Sequence, residues 1–360
     1  MRFTVRKSTF KVSTFAQYIG SQKYIRTIII IFVFSANWNS FAQTYTTSGL
    51  SGDWDNPVAW VITNPENCPT QNPSTTPPLG PVTIPACAIR IVINHPIIRT
   101  AGSSDFGGGE MLSLTINNGG KLSTSGDMGL NNAFQIQMND GAQLDVNGTL
   151  SLQAGVSLSM VNASSLSPKT KIMATNLLFV STDSGHTLDI GANTIVEIQS
   201  QTSLQGGGTL NIQGSLSTAT FVSANSGNQV NLSGNGTINT SGNMQINGSP
   251  MTLSGNAGVV VGGNLTTASS VGTALNLLGP ATGFVVLGYG SNILTAPTGT
   301  CFQTPENSNT CTSLACLEVI QLPNYTLNVP QGFDRVYIFR CGASWTVPNN
   351  TETEELLDEA

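Results

Sequence analysis

Apolar residues recur at a constant interval through the middle of the chain. The clearest column consists of leucines at 22-residue spacing: Leu122, Leu144, Leu166, Leu188, Leu210 and Leu232. A second column shares the period, with one interruption at Ser200: Leu112, Phe134, Val156, Leu178, Val222 and Met244. A unit this short cannot bury its own apolar face, so copies of it must stack on one another. The pattern therefore predicts a solenoid.

Within each repeat the apolar positions alternate with polar ones, as in Leu112, Leu114 and Ile116. This alternation is typical of a β-strand with one buried face. Asn118-Gly119 and Asp140-Gly141 occupy the same position in successive repeats and favour a tight corner with positive φ. Parallel connections are usually right-handed. We predict an all-β fold: a right-handed parallel β-helix with 22-residue coils, an N-terminal cap and a disulfide-tied C-terminal cap.

Residues 1–42 have the features of a signal peptide. Six basic residues are followed by an apolar run over residues 28–34 and by Ser40-Phe41-Ala42, a small-x-small cleavage site. A membrane anchor is the alternative, but the apolar run is far shorter than the ~20 residues that a spanning helix needs. We expect cleavage after Ala42 and no membrane span in the mature chain.

The remainder divides into four segments. We predict an N-terminal cap over residues 43–106, solenoid coils over 107–295, a Cys-containing cap or small β module over 296–348, and a solvated acidic tail over 349–360. Caps are expected because an open solenoid end exposes unpaired strand edges and apolar core.

Charge limits the classes of partner. The chain has 13 basic and 19 acidic residues, and removal of residues 1–42 leaves seven basic and 19 acidic, a formal charge of −12. Such a balance argues against binding of nucleic acid through a basic patch. Charged residues are nevertheless only 9% of the chain, so the predicted coils have a polar, largely uncharged surface.

All cysteines lie outside the regular repeats: Cys68, Cys87, Cys301, Cys311, Cys316 and Cys341. An even number in an exported chain indicates disulfides. We expect Cys68 to pair with Cys87 and the other four to pair among themselves, in a connectivity that the sequence leaves open. A zinc site is the alternative, but there is no CxxC, and His95 and His186 are distant in sequence from most cysteines. We therefore expect no metal and no cofactor.

The best candidates for catalysis are Asp145 and Asp189. The repeat puts them in one outward column, two coils apart, with Ser167 between them. Two rungs separate backbones by about 9.6 Å, which is compatible with the ~6.5–9.5 Å between the carboxyl groups of inverting glycosidases. However, an isolated aspartate on a polar face is usually only solvated, and nothing in the sequence would desolvate either residue. We therefore expect no enzymatic activity.

The chain also resembles a known family. The resemblance is carried by the opening Gly52-x-Trp54-x-x-Pro57-x-x-Trp60, by the later Val82-Thr83-Ile84-Pro85 and Ile93-Asn94-His95, and by coils of the type G-x-L-x-V-x-G-x-L. These motifs resemble those of secreted bacterial surface β-helix proteins, which are adhesin-like or have cell-surface repeats. The resemblance covers residues 49 to about 265. It implies export across a Gram-negative envelope and an extracellular or outer-surface location.

These observations predict an exported, non-enzymatic surface, adhesin-like or extracellular-matrix structural protein with a rigid polar-faced β-helix. Glycans, or proteins of the cell surface or matrix, are the expected partners. Trp54 and Trp60 should fill the N-terminal cap, with stacking on a sugar ligand as their alternative role. The alternative for the whole chain is a polysaccharide lyase or hydrolase, or a glycan-binding module, because many β-helix proteins act on polysaccharides.

Overall fold

The computed structural model describes residues 42–64, 74–79, 88–100, 103–107, 112–131, 133–163, 165, 168–180, 184–247, 249–263, 265–267, 275–277, 283–288, 301–302, 315–321 and 335–340. These residues form β-strands joined by short turns, with one 3-10 turn at Pro57–Ala59. Residues 1–41 lie outside the described part, so the predicted signal peptide stays a prediction.

The strands in chain order are β1 (Ala42–Thr47), β2 (Trp60–Thr63), β3 (Ala88–Ile93), β4 (Pro96–Arg99), β5 (Ser103–Gly107), β6 (Leu112–Ile116), β7 (Lys121–Thr124), β8 (Asp127–Asn131), β9 (Gln135–Met138), β10 (Gln143–Leu152), β11 (Ser157–Met160), β12 (Lys171–Phe179), β13 (Ser184–Ile190), β14 (Ile195–Leu204), β15 (Gly207–Ile212), β16 (Ser215–Ser223), β17 (Gln229–Leu232), β18 (Thr237–Thr240), β19 (Met244–Ile246), β20 (Met251–Leu253), β21 (Gly258–Val261), β22 (Leu265–Thr267), β23 (Leu275–Leu277), β24 (Gly283–Gly288), β25 (Cys301–Phe302), β26 (Ala315–Gln321) and β27 (Arg335–Arg340).

The chain is a parallel β-solenoid of about seven coils, each of about 22 residues, as the repeat predicted. Each coil passes through three faces in turn. Face 1 contains β1, β3, β6, β9, β11, β13, β15, β17, β20 and β23. Face 2 runs from β4 and β7 to β24, and face 3 runs from β5 and β8 to β22. In the central coils, single long strands such as β10 and β12 cover faces 2 and 3 and bend at a register shift between them.

Inward side chains from the three faces make one continuous apolar core. On face 1, Leu114, Ile136 and Leu158 are register partners, and all three are buried. On face 2 the corresponding residues begin with Leu122 and Leu144. The corners follow from the turn residues, because Gly119 and Gly141 have φ of +79° and +73°, a conformation that favours glycine. The alternation and these corners confirm the strand prediction.

The leucine column is not one physical ladder, and this part of the prediction was wrong. Leu122 and Leu144 pair on face 2, whereas Leu188 and Leu210 pair on face 1. Leu166 lies outside the described residues. The residue that follows Leu144 in its physical column is Ile172, further along the chain than Leu166.

The cause is one long coil. On face 1, the coil from Leu158 to its register partner Leu188 is longer than the preceding coil, which runs from Ile136 to Leu158. The step from Leu144 on face 2 to Leu158 on face 1 is shorter than a full coil. Together, that short step and the long coil span two 22-residue repeats. The repeat therefore continues unbroken in the sequence while its leucine moves from face 2 to face 1.

The same shift explains errors in the second apolar column. Leu178 and Val222 are half-exposed and point outward, whereas their neighbours Phe179 and Phe221 are fully buried. Leu112, Phe134 and Val156, which precede the long coil, are buried as predicted.

Both ends of the stack carry antiparallel strands. At the N-terminal edge, β2 pairs antiparallel with β1. At the other edge, β27 pairs antiparallel with β24 and with β26, which also pairs with β25. Parallel stacking begins earlier than the 22-residue repeat shows, because β3, β4 and β5 already form a coil that pairs with β6, β7 and β8.

Candidate functional site

Asp145 and Asp189, the candidate carboxylates, do not share a column. Asp145 lies on face 2 between Ser123 and Met173, and Asp189 lies on face 1 between Ser159 and Asn211. The long coil lies between Asp145 and Asp189 and moves the 22-residue repeat from face 2 to face 1. The predicted two-coil arrangement is therefore wrong. The carboxylate geometry that suggested an inverting glycosidase is therefore not formed by this pair.

Each of these carboxylates bonds a side chain of the adjacent coil. Asp145 forms an ion pair with Lys121, and both side chains are partly buried. Asp189 Oδ1 accepts a hydrogen bond of 2.7 Å from Asn211 Nδ2. Both partners come from a neighbouring rung, so the two aspartates connect coils to one another.

Other acidic residues connect the coils in the same way. Asp127 Oδ1 accepts a 2.7 Å hydrogen bond from the backbone N–H of Thr149 in the next coil. Asp140 Oδ1 accepts one of 2.8 Å from the N–H of Ala163. Glu197 and Lys171, which occupy adjacent strands, approach to 2.8 Å. A carboxylate that accepts a backbone N–H satisfies a donor that a turn would otherwise leave to water.

The two tryptophans are part of the core. Trp54 is fully buried and Trp60 is 6% exposed. Their rings meet edge to face at 4.9 Å, and Trp54 meets Phe106 in the same way at 5.5 Å. Trp60 Nε1 donates to the Trp54 carbonyl oxygen at 2.8 Å. They belong to the apolar core at its N-terminal end, and neither offers an exposed ring face to a sugar. The cap itself stays a prediction, and this burial argues against the alternative role of stacking on a sugar.

Face 1 presents mostly uncharged polar side chains in columns along the stacking axis, with Arg90 and Asp189 as the charged members. The first column is Arg90, Ser113, Gln135, Ser157, Thr187, Thr209 and Gln229, and the second is Val92, Thr115, Gln137, Ser159, Asp189, Asn211 and Asn231. The third follows the ends of these strands: Asn94, Asn117, Asn139, Val161, Gly191, Gln213 and Ser233. The 22-residue period puts Ser113, Gln135 and Ser157 in one outward column, as the structure does. After the long coil the same period continues that column to Phe179 and Gln201, which lie on face 3.

Two shallow depressions lie between these columns. One, of about 370 Å³, lies between the first and second columns, and the backbones of Leu114 and Ile136 line its floor. The other, of about 470 Å³, lies between the second and third columns over Met160 and Ile190. Ser159, in the second column, lines both, so the two depressions adjoin there and the second is displaced sideways by one column. We call this pair of depressions the face 1 groove.

Amide ladders run along the second and third columns, and the ladder of the second column lines the groove. In the third column, Asn117 Nδ2 donates to Asn94 Oδ1 at 2.8 Å, and Asn139 Nδ2 donates to Asn117 Oδ1 at 2.7 Å. In the second column, Asn231 Nδ2 donates to Asn211 Oδ1 at 3.0 Å, which continues the bond from Asn211 to Asp189. Side chains held in this way lose less conformational freedom when they bind a ligand.

Two of the six cysteines lie among the described residues. Cys68, Cys87, Cys311 and Cys341 lie outside the described residues, whereas the backbones of Cys301 and Cys316 are directly opposite each other on β25 and β26. Within the described part, no three His, Cys, Asp or Glu residues are grouped to hold a metal ion. No helix among these residues is long and apolar enough to cross a membrane.

In comparisons with protein-family models, with curated proteins and with solved structures, the chain matches none of them.

Proposed function

We propose that this protein is an exported, non-enzymatic surface or extracellular-matrix component, adhesin-like, in which the solenoid is a rigid spacer. The observation that carries the proposal is the use of its acidic side chains. Apart from Asp105, every carboxylate whose side chain is described bonds another part of the same chain, as Asp145 does with Lys121. Acid–base catalysis requires carboxyl groups that are directed at a substrate, whereas most of these hold coils together.

The finer features of the architecture belong to the same proposal. We take the winding to be right-handed, because that is the hand which parallel connections strongly favour. β2 and the antiparallel strands β25, β26 and β27 would act as caps that cover the edges of the stack. Opposite residues of an antiparallel pair lie about 4.5–5.5 Å apart at Cα, within the range for a disulfide. This supports a Cys301–Cys316 bridge, which leaves Cys311 to pair with Cys341.

An assay of polysaccharide breakdown tests the non-enzymatic role. The full-length chain, exported from a Gram-negative host, is incubated with plant, algal and bacterial polysaccharides, and reducing ends and unsaturated uronates are measured. We expect no product above the level of a host preparation without the protein. Turnover that is abolished by Asp145→Asn or by Asp189→Asn, in a variant that still melts like the wild type, would establish the enzyme instead.

A further inference from the structure

The face 1 groove has the chemistry of a site for a linear polymer. It runs across the strands, and the backbone N–H and C=O groups beneath it are already bonded to neighbouring coils in the parallel ladder. A ligand is therefore held mainly by side chains. Adjacent columns are about 6.8 Å apart, because outward residues alternate along a strand, and each rung advances the groove by about 4.8 Å.

The side chains that line the groove are suited to sugar hydroxyl groups. Between Arg90 at one end and Asp189 further along, the lining consists of hydroxyl and carboxamide groups such as those of Thr115, Gln137 and Ser157. Hydroxyl and amide side chains both donate and accept hydrogen bonds, as sugar hydroxyls do. An anionic polymer would meet few cations here, and the chain has a negative net charge.

We propose that the face 1 groove binds a neutral, linear polysaccharide that runs across the strands and shifts by one column at Ser159. The rung advance is comparable with the length that one pyranose unit adds to an extended glycan, so that successive sugars within each depression meet side chains of the same two columns. No aromatic ring lines either depression, so binding depends on many separate hydrogen bonds and increases with the length of the glycan. This inference rests on the proposed non-enzymatic role, to which it assigns a ligand class.

The test is affinity electrophoresis of the full-length exported chain. Native gels contain increasing concentrations of xylan, galactomannan, hydroxyethylcellulose or dextran, with polygalacturonate as an anionic polymer. Gln137→Ala/Ser159→Ala removes one amide and one hydroxyl that are register partners at the middle of the groove. Gln201→Ala/Thr220→Ala is the matched control, because it removes the same two groups from register partners on face 3.

We expect at least one neutral polymer to retard the wild type and the face 3 control equally. Each lost hydrogen bond weakens affinity about fivefold, so the face 1 variant, which loses two, should bind about 25-fold more weakly. Retardation by polygalacturonate alone, by none of the neutral polymers, or equally for the face 1 variant and the wild type would overturn the proposal. If the face 1 variant does not melt like the wild type, Ser113→Ala/Thr115→Ala replaces it under the same criteria.

The two proposals can fail separately. Binding is measured without any chemical conversion, whereas the non-enzymatic role is tested by product release. A protein that binds and cleaves a neutral polymer would contradict the proposed function and retain the groove. One that neither binds nor cleaves would contradict only the groove.

Discussion

The register that the long coil imposes can be tested on two adjacent leucines. Leu177 is fully buried and is the register partner of Leu150 and Thr202. Leu178 is half-exposed and points away from the core. The 22-residue repeat predicts the opposite for Leu178, because it continues the apolar column of Phe134. The same substitution at each position therefore distinguishes the repeat from the observed register.

Leu177→Ala should destabilise the protein far more than Leu178→Ala. Truncation of a buried leucine costs about 2.7–5.0 kcal/mol, because lost transfer free energy is added to the cost of the cavity. Leu178 retains solvent contact and creates no closed cavity, so we expect a loss under about 1 kcal/mol.

Urea unfolding followed by circular dichroism measures both variants. Solenoids can unfold in steps, so the comparison requires equal slopes of the transition for the wild type and the two variants. A loss for Leu178→Ala that equals or exceeds the loss for Leu177→Ala would refute the register of β12 and the argument from the long coil.

Two further predictions concern the core and its N-terminal end. Gly208→Ala should lower the free energy of unfolding, measured by the same urea titration, by about 1–3 kcal/mol, because an added Cβ would overlap the buried rings of His186 and Phe179. Gly52→Ala is the control and should have little effect, because a Cβ there meets nothing closer than 3.7 Å. Burial raises the pKa of Tyr45 above its ordinary 10.0, so its phenol ionises more readily in the unfolded chain; its contribution to stability is present below pH 10 and is lost as the pH rises beyond it. Melting temperatures between pH 8 and 11 should therefore fall less steeply for Tyr45→Phe than for the wild type, and parallel curves would contradict this assignment.

The sequence predicts the solenoid because inward and outward residues must alternate wherever one face is buried. Leu114, Ile136 and Leu158 therefore reveal their column directly. The long coil is not predictable, since residues 161–170 are mostly polar. The 22-residue period also resumes after the long coil, although its positions then lie on different faces of the solenoid from their counterparts before it. Where three apolar residues are consecutive, as in Leu177-Leu178-Phe179, alternation alone cannot determine which one points outward.

The candidate site was predictable to a similar extent. Thr115, Gln137 and Ser159 precede the long coil, and their shared outward column follows from the repeat. Asp189 belongs to the same column, but the 22-residue period, when it is extended across the long coil, assigns Asp189 to the column of Asp145. The ion pair between Asp145 and Lys121 joins two strands whose register the repeat predicts correctly, but it is diagonal, because Lys121 lies opposite Gln143 and Asp145 opposite Ser123. A comparison of equivalent repeat positions therefore did not identify it.

Protease treatment of intact cells tests the proposed location at the cell surface. Gram-negative cells that produce the full-length chain are treated with proteinase K, and the chain and a periplasmic marker are followed by immunoblotting. We expect the protease to shorten or remove the chain while the marker stays intact, as judged against cells that were first permeabilised. A surface location is contradicted if the chain stays protected on intact cells, is absent from the medium, and is cleaved by the same protease after permeabilisation.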